Sequence, residues 1–207
     1  MLEWLGLPVA ASAHAGEVDR IMVLIHWLML VLFVGWSIFF FYVLVRFRSG
    51  ANPKANYRGV KGSWSTWIEG GVLVAEIVLL AFFSIPFWRA NVDAMPPSDG
   101  ATTLRVVAEQ FAWHAHYPGA DGVFGRTDIS LVNPDNPLGL DRNEQVGKDD
   151  IITTNRVNLP IGKPVVIFLS SKDVIHSFGL PQMRIKQDAI PGIVQPVWFT
   201  PTQRGQW

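Results

Sequence analysis

Chemistry in this 207-residue chain concentrates near its end, in DVIHSFGLP at residues 173–181 followed by KQDAIPG at 186–192. His176 has the widest repertoire there: a neutral imidazole ligates metals, and its charge changes near neutral pH. Taken alone, an isolated histidine is more commonly structural or surface-bound than a ligand. The chain has no cysteine, so it carries neither a thiolate metal site nor a disulfide. His114 and His116 stand two apart in a strand-like run and so share one face, but no third ligand is evident beside them. Phe111 and Trp113, also two apart, read as an aromatic pair on one strand face, with a core role as the plain alternative. Asp173 and Asp188 accompany the histidine motif, and turn or capping duties are the plain alternative for each.

The elements that must position these residues begin with a membrane anchor. The chain is 49% hydrophobic and only 16% charged, with nine tryptophans and zero formal net charge, against about 25% charged residues in ordinary soluble domains. Neutrality implies no basic face and argues against nucleic acid as a partner. Residues 21–45 contain no Lys, Arg, Asp or Glu, and His26, near one end, is the one histidine among them. That run exceeds the roughly 20 residues needed to cross a bilayer as helix. A second span is expected over residues 70–88, bracketed by Glu69 and Arg89, containing Glu76 and ending near Pro86. The two make a transmembrane hairpin over residues 21–90. The loop at 46–65 carries Arg46, Arg48, Lys54, Arg58 and Lys61 without an acid. The positive-inside rule places that loop in the cytoplasm and both termini on the outer side of an inner (plasma) membrane. Trp27, Trp36, Trp64, Trp67 and Trp88 lie in or beside the spans, and those near the ends suit an interfacial belt against lipid. Residues 1–20 form an outer-side arm or a signal segment. Ala-Ser-Ala and Ala-His-Ala within it resemble signal-peptidase sites, but a basic leader is missing.

From residue 102 the pattern turns to strands. Residues 102–117, 156–159, 164–170 and 194–199 are β-rich and punctuated by Gly and Pro, which predicts an antiparallel β domain of sandwich or Greek-key kind over 102–207. Residues 118–150 form a long polar loop with seven acids and three bases. It is either a solvated connection or an acidic surface that steers a basic partner.

The motifs give this plan a family. EQFAWHAHYPG at 109–119, DVIHSFGLP and KQDAIPG together resemble subunit II of haem–copper cytochrome c oxidases, and the resemblance extends over residues 21–207. It implies a membrane α+β protein: a two-helix hairpin followed by an outer-side cupredoxin-like β-sandwich. It also implies a dinuclear copper centre, CuA, that takes electrons from cytochrome c and passes them to haem in subunit I, for O2 reduction with proton pumping. Subunits I and III are the implied partners. By this resemblance His176 is the first copper ligand, and the others belong to a Cys-x3-Cys-x3-His-x2-Met run expected after Trp207. On that reading the chain is C-terminally incomplete, is not active alone, and leaves a sheet edge unpaired. Phe111 stands where the family usually has a Trp at the electron entry from cytochrome c, so either Trp113 or another aromatic substitutes or the donor docks differently. Asp173 would lie near the docking surface and Asp188 near the subunit I interface. Glu69 would sit at the mouth of a proton path, although an acid in a first helical turn is also favoured by the helix dipole. Two other readings remain open: a quinol oxidase subunit II without CuA, and a non-catalytic membrane-anchored module acting in assembly. Retention of His176 in its motif weighs against the first.

Overall fold

The computed structural model describes residues 6–51, 53–54, 57–58, 62–92, 95–96 and 100–207. Lys61, counted above in the basic loop, lies outside the described residues. The chain divides into two compact units, one holding Glu17–Ala94 and the other Gly6–Gly16 with Met95–Trp207.

The first unit is helical. Helix α1 spans Ala15–Arg46, with Glu17 in its first turn and Arg46 in its last, the charge placement a helix dipole favours. Its side chains are apolar around the whole circumference and largely exposed, the signature of a helix covered by lipid or by other subunits. Helix α2, Trp64–Leu79, runs through a π-helical turn at Leu80–Ser84 into α3, Ile85–Val92. The expected stop at Pro86 is therefore corrected: helical structure continues past it. Proline has no N–H and its ring collides with the preceding turn. The widened turn answers this, with the Ile85 N–H reaching back five residues to the Leu80 carbonyl. Both helical stretches, Ala15–Arg46 and Trp64–Ala90, are long and apolar enough to cross a membrane.

The second unit is a β-sandwich. Its larger sheet is built from β1 (Thr102–Glu109), β2 (Ala112–Tyr117), β3 (Ile151–Thr154), β4 (Val165–Ser171) and β7 (Gln195–Phe199), in the order β3-β2-β1-β4-β7. The β1–β4 pair is parallel and the rest are antiparallel. The hairpin of β5 (His176–Leu180) and β6 (Ile185–Ala189) forms a second sheet. Alternate residues Leu104, Val106 and Ala108 of β1 point inward beside Ile167 and Leu169 of β4, and Phe178 and Ala189 of the hairpin close over them. Burying one such Leu or Phe is worth roughly 1.5–3 kcal/mol. Strand period and burial therefore agree where the sequence alternates.

Two strand expectations are corrected. Residues 156–159 are not a strand; the edge strand is Ile151–Thr154, and Asn155 ends it in the left-handed region at φ 55°, which Asn tolerates better than most residues. Residues 102–117 are two strands, turned at Gln110 and Phe111. Residues 118–150 are an ordered lobe. Asn136 accepts from the Leu140 N–H and donates to the Leu140 and Leu131 carbonyls. Leu138 and Leu140 are buried in it.

Residues 8–15 are stitched into the sandwich. The Ala11 N–H donates to the Gln182 carbonyl at 2.7 Å, Ala13 to Thr200 at 3.0 Å, and Thr202 back to Ala11 at 2.8 Å. Ala11 and Ala15 are fully buried, and the Ser12 hydroxyl donates to the Met183 carbonyl.

Candidate functional site

His176 opens β5, where the first ladder pair sets it opposite Ala189. Its Nε2 lies 2.8 Å from Asp173 Oδ1, three residues back in the loop leaving β4. Asp173 is the junction of the site. Its Oδ1 also accepts from the Val174 N–H at 2.7 Å, and its Oδ2 accepts from the Gln110 N–H at 2.7 Å. These donors hold the Asp173 carboxyl far below the usual carboxylate range, the histidine contact contributing most. An ionised acceptor fixes the histidine tautomer, with the proton on Nε2 and the lone pair on Nδ1. Nδ1 has no hydrogen-bond partner among the described residues.

Trp113 approaches from β2, with ring centroids 5.8 Å from His176 and 5.4 Å from Phe178 in tilted, edge-on arrangements. Its backbone is clamped by Asn155, whose Oδ1 accepts from the Trp113 N–H and whose N–H donates to the Trp113 carbonyl. Phe111 is displaced from where the two-apart spacing put it. It sits in the β1–β2 turn, 91% exposed, and shares no strand face with Trp113. The Gln110 N–H caught by Asp173 is what ties that turn to the histidine. An open groove of about 800 Å³ is lined by Trp113, Phe178 and Leu180 among others.

Three of the predicted residues therefore converge, Trp113, Asp173 and His176, while Phe111 is tied to them only through the backbone of its neighbour Gln110. Asp188 lies on β6, exposed, paired with Ser177 across the hairpin. Glu69 is an exposed residue of α2, and so is Glu76; both belong to the helical unit. His114 and His116 do face one side of β2, but each has its own carboxylate. His114 contacts Glu109 at 2.8 Å and Thr154 at 3.0 Å, and His116 contacts Asp150 at 2.6 Å. Glu109 also pairs with Lys172, which in turn donates to the Pro137 carbonyl and holds the lobe against β1. Hydrogen bonds from Lys172 and His114 hold the Glu109 carboxyl below its ordinary range. Asn155, Glu109 and Asp150 escaped sequence reasoning. An Asn after a short β-branched run was the one local signal for the first; the others are set by contacts between distant segments.

The sandwich and its histidine now meet known proteins. The family model for cytochrome C oxidase subunit II, periplasmic domain, matches residues 102–207. This chain belongs to that family. The alternative cytochrome c oxidase subunit 2 of Bradyrhizobium diazoefficiens is 32% identical over 203 residues, covering 98% of this chain and 71% of that one. The probable cytochrome c oxidase subunit 2 of Rickettsia prowazekii is 28% identical, covering 88% and 56%. The chain thus spans under three quarters of one relative and little over half of the other. The periplasmic domain of subunit II of cytochrome oxidase of Bradyrhizobium japonicum aligns at 27% identity and TM-score 0.35, over 54% of this chain and 70% of that one. Membership in the subunit II family makes the chain part of an oxidoreductase complex, and its two apolar helices agree with a membrane-anchored subunit.

A subunit II copper centre needs thiolate and imidazole donors. His176 suits one imidazole place, because its Nε2 is held by an ionised carboxylate and its Nδ1 is left open. These 207 residues contain no thiolate, so they do not form that centre by themselves.

Proposed function

We propose that this subunit receives electrons from cytochrome c and delivers them toward haem in subunit I of a proton-pumping respiratory oxidase. His176 would supply one ligand of a CuA centre whose thiolates come from outside these 207 residues. When bound, such a centre supplies one-electron redox chemistry with little reorganisation. The chain's own residues do the positioning. Asp173 orients His176 and holds the Gln110–Phe111 turn at the surface, and Trp113 packs between them and the core. The single observation that carries the reading is this two-sided use of Asp173, which makes one rigid unit of an exposed aromatic and an open imidazole. Cytochrome c would approach Phe111, Trp113 and the acidic 118–150 lobe, with subunit I meeting the side bearing Asp188. The basic 46–65 loop would be cytoplasmic and both termini outer, with subunit III a further neighbour. Glu69 would stand at the cytoplasmic mouth of a proton path, since an acid at a membrane boundary is a functional candidate by default.

The test is made on the complete subunit in its oxidase. Mixed-valence copper absorption that is reduced by cytochrome c, and is lost in His176→Ala, is expected. An oxidase without copper in subunit II that turns over on quinol would overturn the proposal in favour of the quinol branch. Glu69→Gln should slow turnover while leaving reduction by cytochrome c unchanged.

A further inference from the structure

The two ends of the 118–150 lobe meet in a cluster that the electron-transfer reading does not use. Asp121, near its start, and Asp149 and Asp150, at its end, each place a carboxylate oxygen within 4.8 Å of the others. Acidic clusters on loops are common, and exposure usually disperses their repulsion. This one differs at Asp150. Its side chain is fully buried. Its Oδ2 accepts from His116 Nε2 at 2.6 Å and from the Gly125 N–H at 2.8 Å, while its Oδ1 is buried without a hydrogen-bond partner. A buried carboxylate oxygen left unpaired costs on the order of 1–3 kcal/mol or more, and native structures seldom leave one unanswered. The nearby guanidiniums give Oδ1 no hydrogen bond, although Arg105 attracts the carboxylate from a distance. Arg142 donates to the Asp150 backbone carbonyl at 3.3 Å, and Arg105 lies over the Phe124 ring at 4.2 Å.

The other two acids are held toward the same spot. Asp149 Oδ2 accepts from the Ala120 N–H at 2.7 Å, and Asp121 Oδ1 from the Val123 N–H at 2.9 Å. Gly119, at φ +55°, leaves the room: a Cβ there would stand 2.4 Å from the Asp149 carboxylate. The outcome is three hard oxygen donors from two chain segments, one of them desolvated.

We propose that Asp121, Asp149 and Asp150 bind a divalent calcium ion that closes the 118–150 lobe onto β2. Oxygen-only donors select a hard cation. Carboxylates carried on loops suit the flexible, six- to eight-coordinate oxygen shell of Ca2+ better than the strict, largely hydrated octahedron of Mg2+. The ion gives Asp150 Oδ1 its missing partner, cancels the repulsion among the acids, and locks the far end of the lobe through His116 to the strand that carries Trp113.

The experiment uses the full chain in detergent, freed of metal with EDTA, and Ca2+ alone as the probe. Equilibrium dialysis should find one Ca2+ per chain, and Ca2+ should raise the unfolding midpoint of the β unit. Asp149→Asn and Asp121→Asn, which spare the buried His116 contact, should each weaken binding about tenfold or more, since affinity tracks the charge count of the ligands. Mg2+ at equal concentration should fail to displace the ion. Absence of Ca2+ binding up to about 1 mM, the weak end of the range of extracellular calcium modules, overturns the site. So does Ca2+ binding that is undiminished in the Asp121→Asn/Asp149→Asn double variant.

Discussion

His116 with Asp150, and His176 with Asp173, are the same chemical pair in two settings. Each joins Nε2 to an aspartate oxygen, at 2.6 and 2.8 Å. The first is 1% and 0% exposed, inside the fold; the second is 17% and 31% exposed, at the edge of a hairpin. Burial drives the His116 pKa down, opposed by the hydrogen bond it donates to Asp150, with Arg105 and Arg142 adding to the depression. In the edge pair the Asp173 carboxyl is pulled down by its donors. The buried pair uses its contact to hold the lobe to β2. The edge pair spends one histidine nitrogen on position and leaves the other for chemistry.

The sharpest way to break the comparison is to cut each pair. His116→Ala should cost about 3–5 kcal/mol, because removing one partner of a buried pair strands the other, and it also opens space against Phe124, 5.2 Å away. Urea unfolding of the chain in detergent measures it. A loss near zero would mean that water replaces the imidazole.

Asp173→Asn should leave the unfolding midpoint close to wild type while lowering copper affinity of the complete subunit about 10–100-fold, the usual cost of losing a ligand's supporting carboxylate. Metal titration followed by absorption reads it. Equal copper affinity in the variant would make Asp173 a turn residue only.

Acid should separate the pairs by pH. His116 has a lowered pKa when folded, so its unfolded form binds the extra proton. Its contribution is complete above about pH 6.5 and is lost as pH falls from there through the folded value. Asp173 contributes above its unfolded value of about 3.9, and that contribution is lost only below it, where Glu109 joins it. A melting-temperature profile from pH 7.5 to 5 should therefore fall in wild type and flatten in His116→Phe. An unchanged slope in that variant would assign the loss to another group.

How much of this could be read from residues follows the same division. β1, β4 and β7 were legible because Leu104, Val106, Ile167 and Leu169 alternate or cluster as core strands do. β5 was not: in HSFGL only Phe178 is buried, so no period shows. β3 was misplaced because Ile151–Thr154 is half exposed, while residues 156–159 carry the β-branched and apolar look without the pairing. His176 and Asp173 were legible because they lie three apart inside one motif. His116 and Asp150 were not, because they lie 34 positions apart and only the folded lobe brings them together. The aromatic pair failed for a local reason: spacing of two implies one face only on a continuous strand, and the chain turns at Phe111.

That turn yields the smallest stability effect and the finest test. Phe111 is 91% exposed, so Phe111→Ala removes almost no buried area and should change stability by no more than about 0.5 kcal/mol. An exposed aromatic held in place by the Asp173–Gln110 contact is, however, the kind of anchor on which transient interfaces concentrate their energy. Phe111→Ala should therefore lower the second-order rate of reduction by cytochrome c while leaving copper content unchanged. Asp173→Asn, which also frees the turn, should lower both. If the two variants slow reduction equally with copper intact, Asp173 serves the docking turn and not the histidine, and the open edge pair loses its claim to chemistry.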